Sequence, residues 1–145
     1  MIRYLERKDK ENWIKLYCRY AKFYNVPMSQ DILDTLWNWI HDKNHVIEGI
    51  CFELEGKVVA IAHFRTMPRP IKGHYVGFLD DLFVNPDYRR QKIAQKLINH
   101  LKGLSKDKNW QGIRWITHST NENAKKLYDK IALNTGFELY ELKGD

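Results

Sequence analysis

At residue 85 a long apolar strand has to become a helix. Residues 74–84 read as a strand that ends in Leu82-Phe83-Val84, and Asn85-Pro86-Asp87 then turns the chain. From there to about Lys106, Ile93, Leu97 and Leu101 recur at i, i+4 steps beside Ala94 and Ile98, the spacing of an amphipathic helix. Three cations, Arg89, Arg90 and Lys92, crowd the junction. The first amides of a helix have no partner inside it, and the helix dipole adds positive potential there. Such a junction suits an anion like a pyrophosphate. Three solvated charges opening a surface helix account for the same residues equally well.

The rest of the chain supplies a frame for this unit. Residues 2–5 read as a short strand. Asp9 is placed to cap a helix running to about Tyr24, in which Trp13, Tyr17, Cys18 and Ala21 repeat at helical spacing. Asn25-Val26-Pro27 breaks it, and Ser29 is placed to cap a second helix with Ile32, Leu33, Leu36, Trp37 and Ile40 on one face. Both faces are aromatic-rich, which suits core packing and also a roof over a substrate site. Residues 47–54 and 58–67 read as a hairpin around Glu55-Gly56-Lys57, and Met67-Pro68-Arg69-Pro70 as a loop. Arg114-Trp115-Ile116-Thr117 reads as a short strand and 121–134 as a helix with Ala124, Leu127, Tyr128 and Ile131 on one face. Gly136 is its expected stop, and Phe137-Glu138-Leu139-Tyr140 the expected closing strand. Helices, then a meander, then strand–helix–strand predict one mixed α/β domain over 1–145.

Composition narrows the setting. A chain of 145 residues with 43% apolar residues can bury a core without staples. Cys18 and Cys51 form no CxxC pair and read as buried free thiols of a reducing compartment. No run approaches the ~18 apolar residues of a membrane helix. Met1-Ile2-Arg3-Tyr4 lacks the apolar stretch of a signal peptide. A cytoplasmic location without membrane insertion is therefore expected. The net charge of +6 suits nucleic acid, acidic lipid or a phosphorylated cofactor alike, but its lysines are dispersed and no nucleic-acid-binding motif appears. No metal is expected, because the histidines at 41, 45, 63, 74, 100 and 118 show no ligand spacing.

The junction resembles the acetyl-CoA motif of the GNAT acetyltransferases, Arg/Gln-x-x-Gly-x-Gly/Ala after a strand. Arg89-Arg90-Gln91-Lys92-Ile93-Ala94 fits at Arg89 and Ala94 and departs at Lys92, where the family usually has glycine. Leu79-Asp80-Asp81-Leu82-Phe83-Val84-Asn85-Pro86-Asp87-Tyr88-Arg89 is similar to the Glu-Asp-Leu-hydrophobic-Val-x-Pro-x-Tyr-Arg run of many members. A second segment, Asn121-Glu122-Asn123-Ala124-Lys125-Lys126-Leu127-Tyr128, resembles the family's Asn-x-x-Ala-x-x-Leu/Phe-Tyr element. The longer tail through Gly136-Phe137 is similar to a subgroup that includes yeast histone and polyamine acetyltransferases. The resemblance covers about 75–137. It implies a mostly antiparallel sheet flanked by about four helices, with acetyl-CoA as co-substrate. By the same carry-over, backbone groups near Phe83 and Val84 bind the pantetheine arm like an added strand. Arg89, Arg90, Gln91, Lys92, Ile93 and Ala94 form the pyrophosphate cradle, Asn121 contacts the cofactor arm, and Tyr128 lies near the departing sulfur. Helix capping by Asn121 and core packing by Tyr128 fit the same positions.

Aminolysis of a thioester needs a neutral amine, and an alkylammonium of pKa ~10.4 is about one part in a thousand neutral at pH 7. Asp80 is the first candidate to remove the proton, directly or through water, and Asp81 the second. Neighbours on a strand point to opposite faces, so only one of the two is expected to face the cleft. Tyr128 is the candidate proton donor to the thiolate, and an amide freed by strand splaying at Phe83-Val84 is the candidate oxyanion donor. No covalent enzyme intermediate is expected. A polyamine, a peptide N-terminus, a lysine side chain and a small metabolite amine all remain open as acceptors. Two other functions fit less of the sequence: a CoA-binding regulator without turnover, which Lys92 supports, and a basic nucleic-acid-binding module. Dimerisation is common in the resembled family, and the C-terminal strand is a candidate edge for it.

Overall fold

The computed structural model describes residues 1–145. Its elements are β1 (Ile2–Tyr4), α1 (Lys10–Phe23), α2 (Gln30–His41), β2 (Ile47–Leu54), β3 (Lys57–Arg69), β4 (His74–Val84), α3 (Ile93–Lys108), β5 (Trp110–Trp115) and α4 (Glu122–Ile131). The sheet order is β1-β2-β3-β4-β5. Every pairing is antiparallel except β4 with β5. That parallel pair requires a crossover, which α3 provides.

Two apolar layers hold the helices on. On one face α1 and α2 bury Trp13, Leu16, Leu33, Leu36 and Trp37 against Cys51, Val58 and Ile61. On the other, α3 buries Ile93, Leu97, Ile98 and Leu101 against Val59, Ala62, Phe64, Leu79 and Trp110. Ser29 caps α2 as its position predicts, its Oγ accepting from Ile32 N at 3.2 Å. Asp9 precedes α1, but its carboxylate does not cap that helix. It accepts from Arg3 at 2.7 and 3.0 Å and from Glu6 N at 2.8 Å, tying β1 to the approach to α1. Glu55 and Gly56, with φ of 53° and 77°, make the two-residue loop of the β2–β3 hairpin. Gly77 is required by packing, since a Cβ there would meet the Trp110 ring at 2.6 Å.

The β3–β4 register carries a bulge. His63 stands opposite Asp81 and Phe64 opposite Leu79, which leaves Asp80 without a partner across the ladder. The extra residue shifts the alternation of β4 by one. Leu79 and Leu82 consequently both pack on the α3 side although three positions separate them. The β4–β5 pairing starts at Tyr75 and Trp110 and ends at Leu79 and Trp115. Beyond it, Asp81–Val84 are paired to β3 alone.

Three expectations change. Residues 67–69 continue β3, and a 3₁₀ turn at Pro70–Lys72 makes the connection. The fifth strand lies at Trp110–Trp115 rather than 114–117, because Trp110 fills the space over Gly77 and donates from Nε1 to Thr66 Oγ1 at 2.9 Å. The last helix ends at Ile131, and 137–140 is not a strand: Leu133–Asp145 make no backbone–backbone hydrogen bond. Leu133, Phe137, Leu139, Tyr140 and Leu142 are each 76–97% exposed.

Candidate active site

The bulge decides what the two aspartates do. His63 and Arg65 lie two apart on β3 and share a sheet face. Asp81 Oδ2 accepts from His63 Nδ1 at 2.8 Å, and both Asp80 oxygens accept from Arg65 Nε at 3.3 and 3.1 Å. Both carboxylates therefore stand on the α1–α2 face. This corrects the expectation that strand alternation sends only one of them there: the bulge interrupts the alternation at Asp80.

Asp81 is held from several sides. Trp13 Nε1 donates to His63 Nε2 at 2.9 Å in a fully buried contact. An indole can only donate, so the His63 proton sits on Nδ1, facing Asp81. Tyr17 Oη donates to the same Asp81 oxygen at 3.0 Å. Burial pushes the Asp81 carboxyl up, but the hydrogen bonds from His63 and Tyr17 outweigh it and hold the group below the usual carboxylate range. Asp80 goes the other way. Burial raises it, and the Arg65 guanidinium only partly offsets the rise. Two adjacent carboxylates on one face thus differ in basicity, with Asp80 the stronger base.

Aromatic side chains roof this corner. Tyr17 and Tyr20 of α1 and Tyr24 just past its end follow one stripe, with ring centroids 5.6 and 4.9 Å apart, and Tyr20 meets Phe83 edge-on at 5.9 Å. Burial raises the hydroxyls of Tyr17 and Tyr20, so both stay protonated. Tyr128 of α4 packs edge-on against Trp115 at 5.3 Å, at the end of the paired part of β5. Its hydroxyl is raised chiefly by burial, with a smaller contribution from Tyr24. Tyr24 and Asn121 line a cleft between the end of α1 and the start of α4. A separate cavity beside Tyr4, His41, Glu48 and Lys108 includes none of these groups.

The junction keeps its donors free. No side chain caps α3, and Arg89, Arg90, Gln91 and Lys92 are exposed, with no ion pair on any of the three cations. Ile93 is 3% exposed and packs in the core, so only its backbone N–H serves the junction. Ala94 is half-buried in the first turn. Lys92 holds φ 59°, a left-handed conformation that glycine adopts without strain. Phe83 packs toward α1 and Val84 toward α3, leaving their backbone on the open edge of β4. Asn121 Oδ1 caps α4 through Ala124 N, and its Nδ2 donates to Thr117 Oγ1, both at 3.4 Å. Cys51 is buried and its thiol pushed up to about 11 by burial, while Cys18 is half-buried; both are free.

His63, Arg65, Tyr17 and Tyr20 were not singled out by sequence as site residues. The spacing of three tyrosines at 17, 20 and 24 was a visible signal. His63 and Arg65 were visible only through the register of β3 on β4.

Solved N-acetyltransferases share this architecture. The ribosomal-protein-alanine N-acetyltransferase of Brucella melitensis superposes with a TM-score of 0.82 at 22% identity, covering 99% of this chain and 98% of that one. An aminoglycoside N-acetyltransferase solved with CoA gives 0.76 at 16% identity, covering 100% and 99%. Residues 11–132 match the acetyltransferase (GNAT) family, and the chain belongs to that family of acyltransferases. A D-amino-acid N-acetyltransferase of Saccharomyces cerevisiae is 26% identical over 99% of this chain and 91% of its own length. A thialysine N-epsilon-acetyltransferase of Caenorhabditis elegans is 34% identical over 41% of this chain and 36% of its own. The family's acetyl donor is acetyl-CoA. The uncapped α3 amides, the unpaired cations and the open β4 edge suit a donor with a pyrophosphate and an amide-bearing arm.

Proposed function

We propose that this protein transfers acetyl from acetyl-CoA to the primary amine of a small molecule by direct attack, with Asp80 as proton acceptor and Tyr128 as proton donor. The observation that carries the reading is the β4 bulge. It sets the more basic of two carboxylates one residue past the point where β4 and β5 part. Bound acetyl-CoA supplies an activated thioester and asks little more of the protein than placement and proton transfer.

Each residue then has one task. Arg89, Arg90, Gln91 and Lys92, with the amides of Ile93 and Ala94, hold the pyrophosphate. The backbone of Phe83 and Val84 takes the amide-bearing arm along the open edge and offers an N–H where negative charge develops on oxygen. Asn121 exchanges a long hydrogen bond for contact with the arm. Asp80 accepts the proton of the incoming ammonium at a carboxylate oxygen. Asp81 is occupied by His63 and Tyr17 and keeps β4 in register. Tyr128 retains its proton at neutral pH and has it available at Oη. The thiols play no part, since one is buried and has a raised pKa and neither contacts the carboxylates. The relatives named for a D-amino acid and for thialysine support a small-molecule acceptor.

A second copy of the chain is the protein partner that the surface supports best. The exposed apolar residues of 133–142 match an edge strand, and β5 ends the sheet with one side free. No helix is long and apolar enough to cross a membrane.

The test is release of free thiol from acetyl-CoA with a panel of amines: polyamines, amino acids, peptides and aminoglycosides. Amine-dependent release is expected. Acetyl-CoA binding without release across the panel would indicate a regulator, and absence of both would overturn the reading.

A further inference from the structure

We infer that the acceptor carries a carboxylate beside its amine, and that Arg65 is the residue that reads it. The inference rests on the acetyl transfer proposed above and names its substrate class.

Arg65 spends only Nε on the protein, with both of those contacts going to Asp80. Neither η nitrogen has a hydrogen-bond partner, and no other acidic group pairs with the guanidinium. Its plane is fixed from below by the Phe78 ring, 4.9 Å from the guanidinium carbon. The side chain is 35% exposed, and that of Asp80 28%. A guanidinium held by Nε and by an aromatic face presents its remaining donors as a fork of fixed direction. That is the shape that binds a carboxylate through two parallel hydrogen bonds.

The neighbouring charges set the rest. Asp80 and Arg65 form a doublet of opposite signs at 3.1 Å, where β4 leaves β5. An α-amino acid is a doublet of matching span and reversed sign: its ammonium meets Asp80 while its carboxylate meets the Arg65 fork. A simple alkylamine satisfies only the Asp80 half, and a polyamine brings a second cation against Arg65. Arg65 is thus turned into a selector. It favours zwitterions over more cationic amines, because its η nitrogens are left without an acidic partner.

The experiment compares three acceptors of one skeleton: a free amino acid, its carboxamide and its decarboxylated amine. Both enantiomers of the amino acid are included. The wild-type chain is expected to acetylate the amino acid with kcat/KM at least ~10-fold above the other two. Arg65→Gln should raise KM for the amino acid ~10-fold or more, leave KM for the carboxamide and the amine unchanged or lower, and give Arg65→Lys an intermediate value. Removing a partner of Asp80 also moves the pH profile, but for all three acceptors equally. An equal loss on all three would therefore make Arg65 a positioning residue for Asp80 and overturn the inference. So would equal kcat/KM for amino acid and carboxamide in the wild type. If no acceptor releases thiol, calorimetric titration of the amino acid into the CoA-loaded chain decides. Binding that Arg65→Gln abolishes supports the assignment even though turnover has failed, and no binding overturns it.

Discussion

Two aspartates next to each other in sequence carry opposite pKa shifts, and each shift has its own consequence. Asp81 lies below the ordinary carboxylate range, so its hydrogen bonds stabilise the fold above the unfolded value of ~3.9 and are lost as pH falls through the folded value. Asp81→Ala leaves the buried His63 Nδ1–H without an acceptor and should cost about 1–3 kcal/mol at pH 7. Urea unfolding at pH 7 and pH 3 checks this: the gap to wild type should shrink at the lower pH. Asp80 lies above the ordinary range, so the fold disfavours its charge at neutral pH. Asp80→Asn should leave the melting temperature unchanged or raised while turnover falls roughly 10²-fold or more. For Tyr128→Phe the ring stays on Trp115, and the loss should fall near the low end of proton-transfer effects, roughly 10²-fold in kcat with KM little altered. Steady-state kinetics of the two variants separates the roles. The carboxylates were legible in the sequence as residue types. Their common facing was not, because one unpaired residue in the β3–β4 ladder reverses the parity that sequence spacing assumes.

Among the elements, helices were legible and strand ends less so. The apolar repeats of α1, α2 and α3 fix most of each buried face by local spacing, although Ile32, expected on the inner face of α2, is 45% exposed. The extent of β5, in contrast, depends on Trp110 finding room over Gly77, which is a fact about two strands together. The α3 N-terminus shows both sides of this. Its anion-binding character was visible in Arg89, Arg90 and Lys92. The departure from glycine at Lys92 proves to fall on a left-handed residue. A non-glycine residue there costs about 1–2 kcal/mol, part of which glycine returns through its freer unfolded chain. Lys92→Gly should raise stability by about 0.5–1 kcal/mol, measured as a shift in the urea midpoint at unchanged slope.

At the scale of the molecule, the C-terminal segment marks the limit of reading one chain. The alternation at Phe137-Glu138-Leu139-Tyr140 is a strand pattern, and the sequence expectation of a strand there followed correctly from it. A strand also needs backbone bonds to an edge, and this segment makes none, although β5 leaves one side free. Phe137 lies under the Arg114 guanidinium of β5 at 5.6 Å. If a second copy supplies the edge, sedimentation equilibrium should give a dimer, and deletion of residues 133–145 should give a monomer. A monomeric full-length chain would remove the dimer.

The parting of β4 and β5 also sets an order of events. Past Leu79 the outer edge of β4 has no strand partner, and an extended donor arm laid along it completes a ladder that the polypeptide leaves unfinished. The amides of 80–84 not bonded to β3 should exchange with deuterium readily in the free protein and slowly once CoA is present. The same arm then forms one wall of the corner that receives the amine. Donor before acceptor is the expected sequence, seen in initial-rate data as inhibition by CoA that competes with acetyl-CoA and not with the amine.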